Sequence, residues 1–204
     1  YEVQRELPNR MRARETDEGL EVTATVYRDE EIVDLEPGLS ETMYGLAVDI
    51  GTTTVATYLV NLKTGETEAV SSLLNPQSNH GGDIMTRMRY ARSEENGRED
   101  LKESIRKGVN ETIEEVVAEA GIETEQIYES VFVGNTAMHH LFLGIDPANV
   151  AGAPYVSARE APITVKAREL GLDINPSGYV YWLPISGGWV GPDKVSVLLV
   201  SGTY

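Results

Sequence analysis

The chain has 204 residues, 41% hydrophobic and 25% charged, which is the make-up of a folded domain with enough apolar side chains for a sizeable core. Its 33 acidic and 17 basic residues give a net charge of −16, which argues against nucleic-acid binding through a basic face. It contains no cysteine, so disulfides, thiolate catalysis and cysteine-held iron–sulfur or zinc sites are excluded within it.

Residues 1–18 are charged, show no period and lack the apolar stretch of a signal peptide. A cytoplasmic location is expected. There is no initiator Met, and the chain reads as a piece of a longer protein. Leu20 to Val26 alternates and is rich in β-branched residues, the pattern of a strand. After a turn at Arg28 to Glu31, Ile32 to Leu35 completes a hairpin. Glu36 to Met43 (EPGLSETM) reads as a linker. Residues 1–40 are therefore expected to be the tail of a preceding domain plus a linker, and 41–204 a separate domain.

Three strands follow, Leu46 to Ile50, Val55 to Leu62 and Glu66 to Leu74. Their short connections make them antiparallel neighbours. Asn75 to Gly82 (NPQSNHGG) reads as a loop, and Asp83 to Arg92 as a helix interrupted at Asn96-Gly97. From about 98 to 120, Leu101, Ile105, Val109, Ile113, Val116, Val117 and Ala120 fall on one stripe of a long helix. Gly121 is its stop. Val131 to Val133 is a buried-type strand, and Gly134-Asn135-Thr136 opens a helix through Leu143. Residues 146–178 read as irregular with extended pieces. Tyr179 to Leu183 is a strand, Ser186 to Asp193 a Gly-rich turn, and Lys194 to Ser201 a helix. The longest apolar run, near Val195 to Val200, is far short of the roughly 18 residues a membrane span needs.

The first of the three strands carries the clearest chemistry. In VDIGTTT, Asp49 ends an apolar run, Gly51 lets backbone approach a ligand closely, and Thr52, Thr53 and Thr54 bring hydroxyls and backbone N–H groups together. A strand–turn–strand tip of this kind can hold a phosphate chain and its Mg²⁺. The order of elements, with a phosphate turn after the first strand, predicts an α/β fold. It is the ribonuclease-H-like first lobe of the actin, hexokinase and Hsp70 (ASKHA) superfamily, a mixed sheet with flanking helices.

Four segments together resemble one family: YGLAVDIGTTTVATYLVNLKTGE (44–66), NPQSNHGGDIMTRMRYA (75–91), VFVGNTAMHHLFLGIDP (131–147) and LPISGGWVGPDKVSVLL (183–199). They look like the ATPase domain of the reductive activators of corrinoid proteins. EVTATVYRDEEIVDLEPG (21–38) is similar to the stretch just before that domain. The resemblance implies an ATP-dependent activator, with Mg²⁺, that drives reduction of Co(II) to Co(I) in a partner corrinoid protein. It also implies a 2Fe–2S cluster in a ferredoxin-like domain of the full-length protein, and a second phosphate turn beyond this first lobe. This stretch alone is expected to be inactive. A homodimer is left open as the assembly state. The rival readings are a small-molecule kinase of the same superfamily and a non-catalytic nucleotide-gated module that binds a corrinoid protein.

By the same resemblance, Asp49 stands near the phosphates and is the Mg²⁺ partner, and Gly51, Thr52, Thr53 and Thr54 line the phosphates. Asp83, in a loop with His80 and Gly82, is the candidate catalytic base, with helix capping as its plainer role. Gly134, Asn135 and Thr136 form a strand-to-helix turn that can face a phosphate, or Asn135 simply caps the helix. His139 and His140 are adjacent, point about 100° apart on a helix and do not chelate together. One is expected on the surface and the other packed. Gly187, Gly188, Gly191 and Asp193 can line the cleft or a partner surface. Trp189 is either an interface anchor or a core residue.

Overall fold

Residues 21–202 are described by a computed structural model, and they fall into two units that divide after Met43. In the first, β1 (Val22–Tyr27) and β2 (Glu31–Pro37) pair antiparallel. The Glu30 N–H closes their turn on the Tyr27 carbonyl at 3.0 Å, with Arg28 and Asp29 both at positive φ. The hairpin expectation holds, with the first strand shifted toward the turn and the second longer than predicted.

The second unit is built on a six-stranded sheet. The chain enters it through β3 (Tyr44–Ile50), β4 (Thr54–Asn61) and β5 (Thr67–Leu74), an antiparallel meander as expected. Pro76–His80 is a turn of 3₁₀ helix where the sequence reads as loop. Helices α1 (Ile84–Ser93) and α2 (Gly97–Ala120) follow. Then β6 (Ile127–Gly134) returns beside β3, parallel to it, and leads into α3 (Thr136–Leu143).

The region 146–178 holds more structure than its composition shows. It contains α4 (Ala148–Ala151), β7 (Ile163–Lys166) and α5 (Ala167–Leu170). Edge strand β7 draws its order from pairing antiparallel with β8 (Tyr179–Trp182), and β8 runs parallel to β6. Finally α6 spans Pro192–Ser201. The order across the sheet is β5-β4-β3-β6-β8-β7. Without the edge strand β7, this is the 3-2-1-4-5 order of the ribonuclease-H-like fold, with its second strand antiparallel to its first.

The pleat sorts the side chains between two faces. On one, Leu46, Val48 and Ile50 of β3 stand level with Leu59, Thr57 and Val55 of β4 and with Ser130, Phe132 and Gly134 of β6. Helices α1, α2 and α3 lie on this side. The α2 stripe of Leu101, Ile105, Val109, Ile113 and Val116 is 0% exposed. Each such side chain contributes roughly 1.5–3 kcal/mol by leaving water. Two threonines inside this layer satisfy one another. Thr112 donates its hydroxyl to the Val109 carbonyl at 2.7 Å, so Thr57 donates to Thr112 at 2.6 Å. Ser71 hydrogen-bonds Glu115 at the edge of the same contact. The other face carries Ala47 and Asp49 of β3, Tyr58 of β4 and Val131 and Val133 of β6, and α6 lies against it beside β6. Among the described residues, no helix is long and apolar enough to cross a membrane.

Candidate functional site

The carboxyl ends of β3 and β6 lie side by side, with Ile50 level with Gly134. The turns that leave them therefore meet. The β3–β4 turn is closed by the Gly51 N–H on the Thr54 carbonyl at 2.9 Å. A Cβ on Gly51 would lie 2.7 Å from that carbonyl, so any side chain here would open the turn. Thr52 is partly exposed, Thr53 and Thr54 are exposed, and Thr54 already begins β4. Among the described residues, no acceptor takes the Thr52 or Thr53 N–H. Two adjacent backbone donors are thus left without a protein acceptor at the tip of the turn, an arrangement suited to an anion.

Two asparagines hold that turn in place. Asn135 caps α3 by accepting the Met138 N–H at 3.1 Å, and its amide nitrogen donates to the Thr52 Oγ1 at 3.1 Å. The Thr52 hydroxyl is thereby an acceptor toward the protein, and its own proton points elsewhere. Asn75, 0% exposed, donates from Nδ2 to the Gly51 carbonyl at 2.8 Å, and its backbone N–H donates to the Thr53 carbonyl at 2.7 Å. Its Oδ1 accepts the Gln77 N–H at 2.9 Å, starting the 3₁₀ turn. Thr136 is buried and reaches the Gly187 carbonyl at 3.4 Å. Gly191 is pressed so closely on α3 that a Cβ would lie 2.6 Å from the Thr136 nitrogen.

That last contact brings Asp193, in the first turn of α6, to the same place. Asp49 keeps contact with solvent, yet protein packed around its carboxyl raises its pKa above the ordinary carboxylate value, and the charge of Asp193 raises it further. Two carboxylates therefore lie close together beside the β3–β4 turn. Beside Asp49 lies an apolar pocket of about 410 Å³, walled by Tyr58, Val131 and Leu183 and by Leu199 and Val200 of α6.

The remaining expected residues lie outside this meeting point. Asp83 is exposed and caps α1, accepting the Thr86 N–H and the Thr86 hydroxyl, each at 2.9 Å. Those bonds hold its carboxyl below the ordinary range, with a smaller contribution from Arg87. Among the described residues, no hydrogen bond joins Asp83 to the β3–β4 turn. Trp189 is 46% exposed in the small hairpin that pairs Gly187 with Val190, where it meets Tyr155 edge to face at 6.1 Å. It does not close the core.

The histidine expectation is corrected. Both His139 and His140 are buried, at 1% and 0% exposure. The chain after α4 folds back over α3: His140 bonds the Thr136 carbonyl through Nδ1 at 2.7 Å and accepts the Ala158 N–H at Nε2, at 3.1 Å. His139 stands edge-on to Trp182 at 5.0 Å. Neither ring is open to a metal or a partner's cofactor. Desolvation, then the neighbouring His140 and Arg159, push the His139 imidazole down to about 3. An unfolded histidine titrates near 6.5. Its contribution to stability is therefore complete above pH 6.5 and is lost as pH falls toward 3. We expect stability to drop by a few kcal/mol (order of magnitude) across that window. In urea unfolding measured from pH 7 to pH 4, a His139→Phe variant is expected to show a flatter slope.

The RACo middle region family model matches residues 44–204, the whole of the second unit. The chain belongs to this family. It is 36% identical over 184 residues to the "Corrinoid activation enzyme RamQ" of Eubacterium limosum, covering 89% of this chain and 31% of that protein. A solved structure described as a "Reductive activator for corrinoid, iron-sulfur protein" superposes with a TM-score of 0.86 at 33% identity, covering 99% of this chain and 32% of that one. The chain thus spans about a third of the length of both relatives.

Asn75 is a residue that the site expectation lacks. Asp193 was legible as part of a Gly-rich turn beside a possible cleft. Asn75 carried only the signature of an Asn-Pro turn, and nothing local shows that its amide spans 24 residues to Gly51.

Proposed function

We propose that this chain supplies the first phosphate grip of an ATP-dependent activator that drives reduction of Co(II) to Co(I) in a partner corrinoid protein. The carrying observation is the open pair of N–H groups at Thr52 and Thr53 beside the Asp49 and Asp193 carboxylates, in a chain of the RACo middle region family. The printed names of both relatives concern corrinoid activation, which supports the same reading.

The residues present fit ATP with Mg²⁺. Backbone donors at Thr52 and Thr53 and the free hydroxyl proton of Thr52 suit phosphate oxygens. Asp49, with Asp193 beside it, suits a hydrated Mg²⁺, an ion held by one or two carboxylates plus phosphate rather than by a full protein cage. Gly51, Thr54, Gly134, Asn135 and Thr136 shape and brace the turn. Asp83 is the solvent-facing acid of the neighbouring loop. Its lowered pKa suits capping better than a base poised near neutrality. With no cysteine, the chain offers no ligand for a 2Fe–2S cluster. In this reading the cluster belongs to another part of the full-length protein, and one electron passes from it to Co(II). The grip on ATP would favour a conformation that binds the Co(II) partner, a population shift by differential binding.

The test uses the full-length protein with ATP, a reductant and a corrinoid protein poised as Co(II), with Co(I) followed by absorbance. Co(I) should form only when ATP is present. Reduction that ignores ATP, or no reduction, overturns the proposal. ATP-driven phosphorylation of a small acid or sugar would point to a kinase.

A further inference from the structure

Arg87, on α1, is 1% exposed, one of the largest fully buried side chains. Among the described residues, no carboxylate comes within ion-pair distance of it. Its Nε donates to the Gly81 carbonyl at 2.8 Å, and its Nη1 rests on the Met138 sulfur at 3.8 Å. The same sulfur also takes the Asn75 Nδ2 at 3.6 Å, the nitrogen that donates to the Gly51 carbonyl. Contacts of 3.8, 3.6 and 2.8 Å thus connect the guanidinium to the back of the phosphate turn. The cation lies within roughly 10 Å of the Gly51 carbonyl, about one Debye length, and what separates them is protein rather than salt solution.

We propose that Arg87 is a buried positioning cation that attracts the phosphate chain through the turn without touching it, while its Nε fixes the loop that carries Asn75. This rests on the phosphate reading of the turn. A buried guanidinium with one strong hydrogen bond is a costly group on its own. Burial lowers its pKa, yet an arginine stays charged at any ordinary pH. Asp83 is the nearest acidic influence, and its oxygens are taken up by Thr86. In a chain of net charge −16, a cation directly behind two open N–H groups offsets the field that would repel a polyanion. A bound phosphate chain in turn lowers the cost of burying the charge.

The experiment compares full-length wild type, Arg87→Met and Arg87→Lys. It measures affinity for inorganic tripolyphosphate and for adenosine, together with the melting temperature without ligand. Arg87→Met is expected to bind tripolyphosphate about tenfold more weakly, the size of one unit charge at this distance through protein. It should bind adenosine unchanged and melt no lower than wild type. The loss should persist from roughly 0.1 M to 1 M salt, because a buried charge is little screened. Arg87→Lys should keep most of the affinity. Equal tripolyphosphate affinity in wild type and Arg87→Met overturns the proposal. So does a loss shared by Met and Lys together with lower melting, which would mark a structural strut. If wild type itself takes up no tripolyphosphate, the phosphate reading of the turn fails and this proposal fails with it.

Discussion

Truncating Trp182 to alanine is expected to destabilise the second unit by about 3–5 kcal/mol, the usual cost of removing a fully buried large aromatic. Trp182 is 0% exposed at the end of β8. Its ring meets Phe132 at 5.3 Å, Phe142 at 5.4 Å and His139 at 5.0 Å, so it joins the sheet to α3. The hole left by alanine would be lined by rings that belong to rigid elements and cannot collapse freely. Calorimetry should show melting lower by about 10 °C in a domain of this size. Trp182→Phe separates packing from polarity. The indole N–H is buried with no protein acceptor among the described residues, as is the His139 Nδ1. Phenylalanine keeps most of the contact and removes that orphaned donor, whose burial costs about 1–3 kcal/mol. Its loss should therefore be under about 1.5 kcal/mol. A Trp182→Phe variant as unstable as the alanine one would show that shape, rather than ring contact, decides here.

Much of the fold was legible because its signals are local. Alternation marks β3 to β5, and the stripe from Leu101 to Val116 marks α2. The β3–β4 turn was legible for the same reason, since Asp49 to Thr54 are contiguous. What escaped is held by distant partners. Strand β7 has four residues and no alternation worth reading, and exists because β8 offers it an edge. His139 and His140 read as one surface and one packed residue until residues 157 and 158 close over His140. Asn135 shows both cases at once. Its capping of α3 follows from the sequence Gly-Asn-Thr before an apolar run, whereas its second bond, to Thr52, depends on β6 lying parallel to β3. The brace behind the turn, Asn75 with Met138 and Arg87, likewise joins three separate stretches of chain.

Under the proposed function, replacing Asp49 with asparagine in the full-length protein is expected to lower ATP-driven corrinoid reduction by about 100-fold or more, while leaving the fold intact or slightly firmer. The direction of its pKa shift fixes the second half of that expectation. Burial and Asp193 raise the folded pKa above the unfolded value. The folded state then holds the proton more tightly, and stability falls as pH rises from the unfolded pKa of 3.8 through the folded one. At neutral pH the charged carboxylate is thus a cost to the fold. Asparagine removes that cost at nearly the same volume, so the melting temperature should hold or rise. The loss of activity would have a separate origin: removing one preorganised electrostatic group from a reacting centre costs on the order of 10²–10³ in rate, and the proposed function gives Asp49 such a place beside Mg²⁺ and phosphate. Mg²⁺ supplies the discriminating measurement. An ion bound at Asp49 relieves the repulsion with Asp193, so Mg²⁺ with ATP should raise the melting temperature of wild type more than that of Asp49→Asn. Asp193→Asn should show the same pattern in smaller measure, since its carboxylate acts from the neighbouring helix. An Asp49→Asn protein that still reduces Co(II) with ATP at the wild-type rate would remove Asp49 from the site. One that melts well below wild type would mean that the carboxylate supports the β3–β4 turn rather than the ion.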